Sequence, residues 1–453
     1  MGEYAWTEQG LPRLPSSLLV ITFLVLGIFF LSSCKKPHEE SRFEKQVRVK
    51  TGLAVFLEKH TYLIKNKKVG LITNPSGINS SLKTSVELFI EHPDIDLIAL
   101  YGSEHGVRGN AQPGEYVSFY IDKKFDLPVF SLYGQSRKPK PGMLKNIDAY
   151  MRSYDVLKEG KTPDLNIIKN CEVLIFDIQD VGTRIYTYTA TMAYCMEACA
   201  KYGIDFIVLD RPNPINGKDL EGPVLDYPEF SSFVGLYPIP VRHGMTAGEL
   251  ALLYNDRYLE KKAVLTVIPM ENWKREMWFD ETSLPWIMPS PNMPTLSTAI
   301  VYPGQVFLEG TNVSEGRGTT RPFELFGAPW IDGYEMSRKL NALSLPGVTF
   351  REAWFTPTFS KFTGQLCGGS QIHVIDRHSF RPFAVSLHIL KTILDCYPGH
   401  LIFYDKYFDT IMGTSKIREN LMVGKSVQQI LSSIEDEQHS FFEIRKKYLL
   451  YDQ

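Results

Sequence analysis

The sequence predicts an α/β protein: a doubly wound, mostly parallel sheet domain over residues 51–327 and a smaller α/β domain over residues 328–453. Three observations carry that expectation. Short apolar runs rich in β-branched residues, such as Val173-Leu174-Ile175-Phe176 and Phe206-Ile207-Val208-Leu209, alternate with helical stretches. That is the pattern of parallel strands buried on both faces. The runs stop abruptly at polar, Gly- or Pro-rich turns. A strand, crossover helix and strand of this length make a right-handed unit, so their polar ends share one edge of the sheet. Open α/β sheets bind ligands at that edge.

The chain opens with a segment outside the fold. Leu18 to Leu31 is apolar, short for a membrane span and suited to a signal-peptide core. It ends in Leu31-Ser32-Ser33-Cys34, which resembles the lipobox of bacterial lipoproteins. That resemblance implies cleavage before Cys34, lipidation of its thiol, and a lipid-anchored protein of the cell envelope facing the periplasm or exterior. Residues 35–50 read as a polar tether.

The first strand, Lys68-Val69-Gly70-Leu71-Ile72-Thr73, ends at a turn containing Asn74. A helix near 86–90 leads to a strand at 96–100, which runs into Tyr101-Gly102-Ser103-Glu104-His105-Gly106. A further strand is expected at 127–133. The strand at 173–176 stops at Asp177, Gln179 and Asp180, with Arg184 beyond, and a helix over 186–202 is closed by Gly203. The strand at 206–209 stops at Asp210 and Arg211, then Pro212-Asn213-Pro214. Thr246 and Glu249 have the spacing of a capping box, preceded by Arg242 and His243 where an anion would meet the helix start. A strand at 263–270 follows, then a stiff loop at 289–295 with Asn292. Residues 307–324 form a Gly-rich loop holding Glu309, Glu315, Arg317, Arg321 and Glu324. The last part reads as a helix near 334–340, strands near 348–354 and 372–375, and a helix near 383–394.

Composition narrows the chemistry. The 453 residues are 44% hydrophobic and 22% charged, with a net charge of -2. Without a basic excess a nucleic-acid partner is not expected. No Gly-x-Gly-x-x-Gly follows the first strand and no Gly-x-x-x-x-Gly-Lys-Ser/Thr phosphate loop is present, so neither a nucleotide nor another cofactor is expected. There is no Gly-x-Ser-x-Gly elbow, and no His-Glu-x-x-His or paired Cys-x-x-Cys that would predict a metal. Cys195 and Cys199 read as packed core. Carboxylates, His, Tyr and Arg remain as the reactive groups.

Taken in order, the stretches 70–77, 101–109, 176–188, 209–215, 242–250, 289–295 and 309–324 resemble the exo-acting β-N-acetylmuramidases of bacterial cell-wall recycling. The resemblance runs from about residue 51 to the carboxyl end. It implies a Rossmann-like catalytic domain that uses no nucleotide, and peptidoglycan-derived muramyl saccharides as substrate. The implied reaction releases a non-reducing terminal N-acetylmuramic acid.

Glycoside cleavage needs two carboxyl groups or one with an assisting acetamide. Glu104, Gly-flanked after a buried strand, is the candidate acid, with His105 to orient or share its proton. Asp177, Asp180, Glu309, Glu315 and Glu324 compete for the second role, and Asp180 is the candidate for orienting an assisting acetamide. Arg184, Arg242, Arg317 and Arg321 are candidates to clamp the lactyl carboxylate of muramic acid, Arg184 foremost. The substrate-binding set is completed by Asn74, Tyr186, Arg211, Asn213, His243, Asn292 and Glu315. Two other readings stay open at this level: a lipid-anchored muropeptide-binding protein without turnover, and an acyl hydrolase using Ser103 or Ser314 with His105.

Overall fold

The computed structural model describes residues 48–115, 117–133, 137–145 and 171–452; the segment expected to be a signal peptide, with Cys34, lies outside them. Among the described residues nine strands belong to the N-terminal part: β1 Lys68–Thr73, β2 Asp96–Gly102, β3 Tyr120–Asp122, β4 Leu127–Ser131, β5 Val173–Asp177, β6 Asp205–Leu209, β7 Glu221–Val224, β8 Pro240–Arg242 and β9 Leu265–Ile268. Seven of them form one sheet in the order β3-β4-β2-β1-β5-β6-β9. Every neighbouring pair is parallel except β3 with β4. The fold is the expected Rossmann-like, doubly wound sheet.

Side-chain alternation explains why both faces are covered. On β5 and β6, Leu174, Phe176, Phe206 and Val208 point to one face and pack with Met192, Cys195 and Met196 of the helix Tyr188–Tyr202. Their neighbours Val173, Ile175, Ile207 and Leu209 point to the other, against Leu53 and Phe56 of the helix Gly52–Lys59 and Phe89 of the helix Ser85–Glu91. All five residues of β5 are buried, which is why the run reads as continuous rather than alternating. Each such side chain contributes about 1.5–3 kcal/mol by leaving water. Cys195 and Cys199 are core residues, and burial raises both thiols.

Two helix ends follow local rules. Gly203 caps the helix Tyr188–Tyr202 at φ 67, a left-handed position that glycine occupies without strain. Thr246 and Glu249 make the capping box of the helix Ala247–Arg257. The strand expected over 263–270 shortens to β9, and that over 127–133 to β4.

The C-terminal part carries an antiparallel sheet, β10-β12-β11, from Leu325–Ala328, Cys367–Val374 and Val348–Phe355 respectively. β10 straddles residues 327 and 328, where the sequence suggests a boundary. The helices Gly333–Ala342 and Pro382–Cys396 appear near the expected positions, and four helices between Asp405 and Arg445 follow. Both sheets belong to one compact unit, residues 47–453. No described helix is long and apolar enough to cross a membrane.

Candidate active site

β1, β2, β5 and β6 run parallel, so the loops leaving them gather on one edge of the sheet. A cleft of about 470 Å³ opens there, lined by Glu104 and His105 after β2 and by 185–188 after β5. The loops around Asn292 and Glu309, and Tyr407 of the helix Asp405–Met412, also line it.

The β2 loop turns tightly. His105 and Gly106 both take left-handed backbone, at φ 72 and φ 74. Gly109 lies so close to Pro75 that a Cβ would sit 2.6 Å from its Cγ. This packing holds Glu104 at the cleft. Thr187 Oγ1 donates to Glu104 Oε2 at 2.8 Å, and the Gly114 amide makes a longer contact of 3.4 Å to Oε1. His105 is 8% exposed. Its Nδ1 lies 2.7 Å from the Ala111 carbonyl oxygen, which can only accept, so the proton sits on Nδ1. Burial lowers the His105 pKa, and the neighbouring Arg317 adds to that; Glu104 works against it.

Behind them lies an aromatic wall. Tyr186 meets Tyr188 and Tyr302 edge-on, with ring centroids 4.8 and 5.8 Å apart. The Tyr188 hydroxyl donates to the Pro289 carbonyl, as does Asn74 Nδ2, which fixes the 289–295 loop. The Tyr186 hydroxyl has Ser290 and Tyr188 beside it but makes no hydrogen bond of good geometry, and Asn292 Nδ2 has no partner among the described residues. Both residues line the cleft.

Glu309 is the other carboxylate on the described lining. Arg317 donates to it from Nη2 at 2.7 Å and Nε at 3.2 Å, and the Tyr407 hydroxyl donates at 2.9 Å. Three donors hold its carboxyl group in place. Burial opposes the Arg317 charge, but Glu309 and Glu315 more than offset it and raise the guanidinium pKa. Glu315 sits behind, 2% exposed, paired with Lys361 at 3.0 Å.

The structure thus brings Glu104, His105, Tyr186, Asn292, Glu309 and Arg317 together in one cleft. It places the other expected residues elsewhere, for one physical reason: buried backbone and buried charge need partners. Asp180 is not on the lining; its Oδ2 accepts from the Gly182 amide at 2.7 Å and lies 3.8 Å from His243 Nε2, itself fully buried. Arg184 is a strap. It donates to the carbonyls of Pro223, Ile239, Ile411 and Met412, and burial pushes its guanidinium down to about 10. It has no reach to a substrate. Arg211 grips Asp177 with two N–H donors at 2.6 and 3.0 Å. Arg242 pairs with Glu221 and Asp219 beneath Trp278. Asn213 donates to the Met245 carbonyl and closes its own turn. Glu324 accepts from Thr298 and Arg321 away from the cleft.

Ser103 Oγ faces the Glu104 carbonyl, and buried Ser314 accepts from the Gly316 amide. Neither is hydrogen-bonded to His105, so neither is assembled with it as a nucleophile. Thr187, Tyr133, Arg137, Tyr302 and Tyr407 line the cleft without having been singled out in the sequence. Only Thr187, beside Tyr186 and Tyr188, lay in one of the stretches that carry the family resemblance.

Comparison with known proteins gives a consistent picture. The N-terminal model of the exo-beta-N-acetylmuramidase NamZ family matches residues 69–156 and 150–297, and its C-terminal model matches 300–451. The peptidoglycan beta-N-acetylmuramidase NamZ of Bacillus subtilis is 49% identical over 432 residues, covering 95% of this chain and 98% of its own. Crystal structures of two DUF1343 family proteins from Bacteroides fragilis are similar in fold. One has a TM-score of 0.79 at 35% identity, covering 90% of this chain and 100% of that one. The other has 0.67 at 30%, covering 89% and 99%.

Proposed function

The chain belongs to the NamZ family of exo-β-N-acetylmuramidases, a family of glycoside hydrolases, and from that premise we propose that it releases non-reducing terminal N-acetylmuramic acid from peptidoglycan fragments by carboxylate acid/base chemistry. The observation that carries this reading is the contrast between two carboxylates on one cleft. Glu104 has one short hydrogen bond, from Thr187, whereas Glu309 is held by Arg317 and Tyr407.

Glu104 donates a proton to the bridging oxygen as the bond from that oxygen to the anomeric carbon breaks. Water adds to the anomeric carbon and gives up a proton, which restores the acid. Glu309, held by Arg317 and Tyr407, stabilises the positive charge developing on the sugar ring. The Tyr186 hydroxyl, which makes no hydrogen bond of good geometry, and the Asn292 amide supply donors for the substrate acetamide. Asp180, buried off the lining, takes no part in this reading. Purified protein incubated with a muramyl-glucosaminyl disaccharide should yield free N-acetylmuramic acid by mass spectrometry. An intact disaccharide after prolonged incubation refutes the reading.

The lipobox-like Leu31-Ser32-Ser33-Cys34 supports a second proposal, that Cys34 carries a lipid anchor in the cell envelope. Metabolic labelling with a fatty-acid probe should mark the wild type and not Cys34→Ala; equal labelling removes the proposal.

A further inference from the structure

The cleft holds two guanidinium groups, and they differ in what already faces them. Arg317 is committed. Glu309 takes its Nη2 and Nε donors at 2.7 and 3.2 Å, and Glu315 lies 3.5 Å from Nε. An anion arriving there would meet two carboxylates. Arg137 is placed differently. Its guanidinium carbon lies 4.4 Å from the Phe233 ring centroid and 5.2 Å from that of Tyr133. Among the described residues no carboxylate pairs with it. Ser232, next to Phe233, lines the same cleft with a buried hydroxyl oxygen that has no hydrogen-bond partner among the described residues.

We infer that Arg137, supported on the rings of Phe233 and Tyr133 and joined by the Ser232 hydroxyl, is the subsite that takes the lactyl carboxylate of a terminal muramic acid. The inference rests on the muramidase reading above and names the residue that would make it selective. A stacked guanidinium keeps its N–H edges free, in a fork that matches a carboxylate. The aromatic faces hold that fork flat and shield it in part from water. They also offer apolar surface to the lactyl methyl group. Tyr133 adjoins both Arg137 and the Glu104 carboxyl, so the anion site lies beside the proton donor. Such a neighbourhood suits a substrate whose charged substituent sits on the same ring as its reacting carbon.

The test compares nitrophenyl N-acetylmuramide with its lactyl methyl ester, the same sugar without the charge. Steady-state kinetics are measured for the wild type, Arg137→Lys and Arg137→Gln. A wild type that turns over neither substrate refutes the muramidase reading itself, and this inference with it. With wild-type turnover in hand, Arg137→Gln should lower kcat/KM for the free acid by on the order of tenfold, mainly through KM. Its preference for the acid over the ester should fall by the same factor, and Arg137→Lys should recover part of it. Equal losses on acid and ester, or an unchanged preference, overturn the inference while leaving the proposed function standing. So does a preference that survives in Arg137→Gln and collapses in Arg317→Gln.

Discussion

Two stretches of one sheet edge carry the same kinds of residue to different ends. After β5 and β6 the acids and bases close on one another. Arg211 holds Asp177, Arg184 holds four carbonyls, and Arg242 holds Glu221 and Asp219. After β2 the carboxyl of Glu104 has one short hydrogen bond and faces open volume. Burial separates the two. Asp177 is 0% exposed, and a charge in that position is tolerated only when paired. Glu104 is partly exposed and keeps acceptor capacity for a ligand. A polar residue at a strand end therefore announces its edge of the sheet, and only its partners say whether it builds the edge or works there.

The contrast can be broken most forcefully at Arg211. Replacing it by Ala leaves Asp177 buried without its cation, and we expect a loss of about 3–5 kcal/mol in urea unfolding. The kcat/KM of the folded fraction should hold. A stable Arg211→Ala protein that has lost its activity would reverse the roles of the two stretches.

Thr187→Val probes the other side. It preserves shape and removes the hydroxyl that donates to Glu104. Turnover should fall about tenfold, the usual scale of one hydrogen bond to a charged group. Unfolding free energy should change by less than about 1 kcal/mol, in keeping with a partly exposed site. A large stability loss without a kinetic one would make Thr187 part of the scaffold.

A smaller effect concerns pH. Burial raises Asp210 to about 6 and lowers His105. For Asp210 the folded carboxyl binds its proton more tightly than the unfolded one. That contribution to stability is full below the unfolded value near 4 and is lost as pH rises through about 6. For His105 the sign is opposite: the neutral ring is favoured by the fold, and stability falls as pH drops through the unfolded value near 6.5. Asp210→Asn should flatten the first slope without moving the activity profile. His105 should contribute an acid limb of kcat/KM below about 6.5, in the pH range where imidazole is protonated. A His105-dependent limb above that value contradicts the buried, neutral imidazole.

Much of the frame was legible because it is local. The runs 173–176 and 206–209, the Gly203 cap and the Thr246–Glu249 box are each decided within a few residues, and each appears in the fold. Glu104 and His105 were legible because a buried strand delivers them to the ligand edge. Arg184 was misread for the same reason: it leaves the same edge, and nothing nearby in sequence reveals the carbonyls of Ile411 and Met412 that claim it, 227 and 228 residues away. Tyr407 escaped notice because it meets Glu309 only through packing of a helix 98 residues downstream. Arg137 and Phe233 are separate loop residues whose stacking is a tertiary event.

The central claim is that Glu104 is the proton donor, and Glu104→Gln tests it most directly. The substitution keeps the shape and the Thr187 contact but supplies no acidic proton. Its kcat on the natural muramyl-glucosaminyl disaccharide should fall by on the order of a hundredfold or more, since the departing sugar needs protonation. On a nitrophenyl muramide, whose leaving group departs as an anion, the loss should be much smaller, and the unfolding midpoint should match the wild type. Equal losses on the two substrates, or full activity on the disaccharide, would contradict the claim.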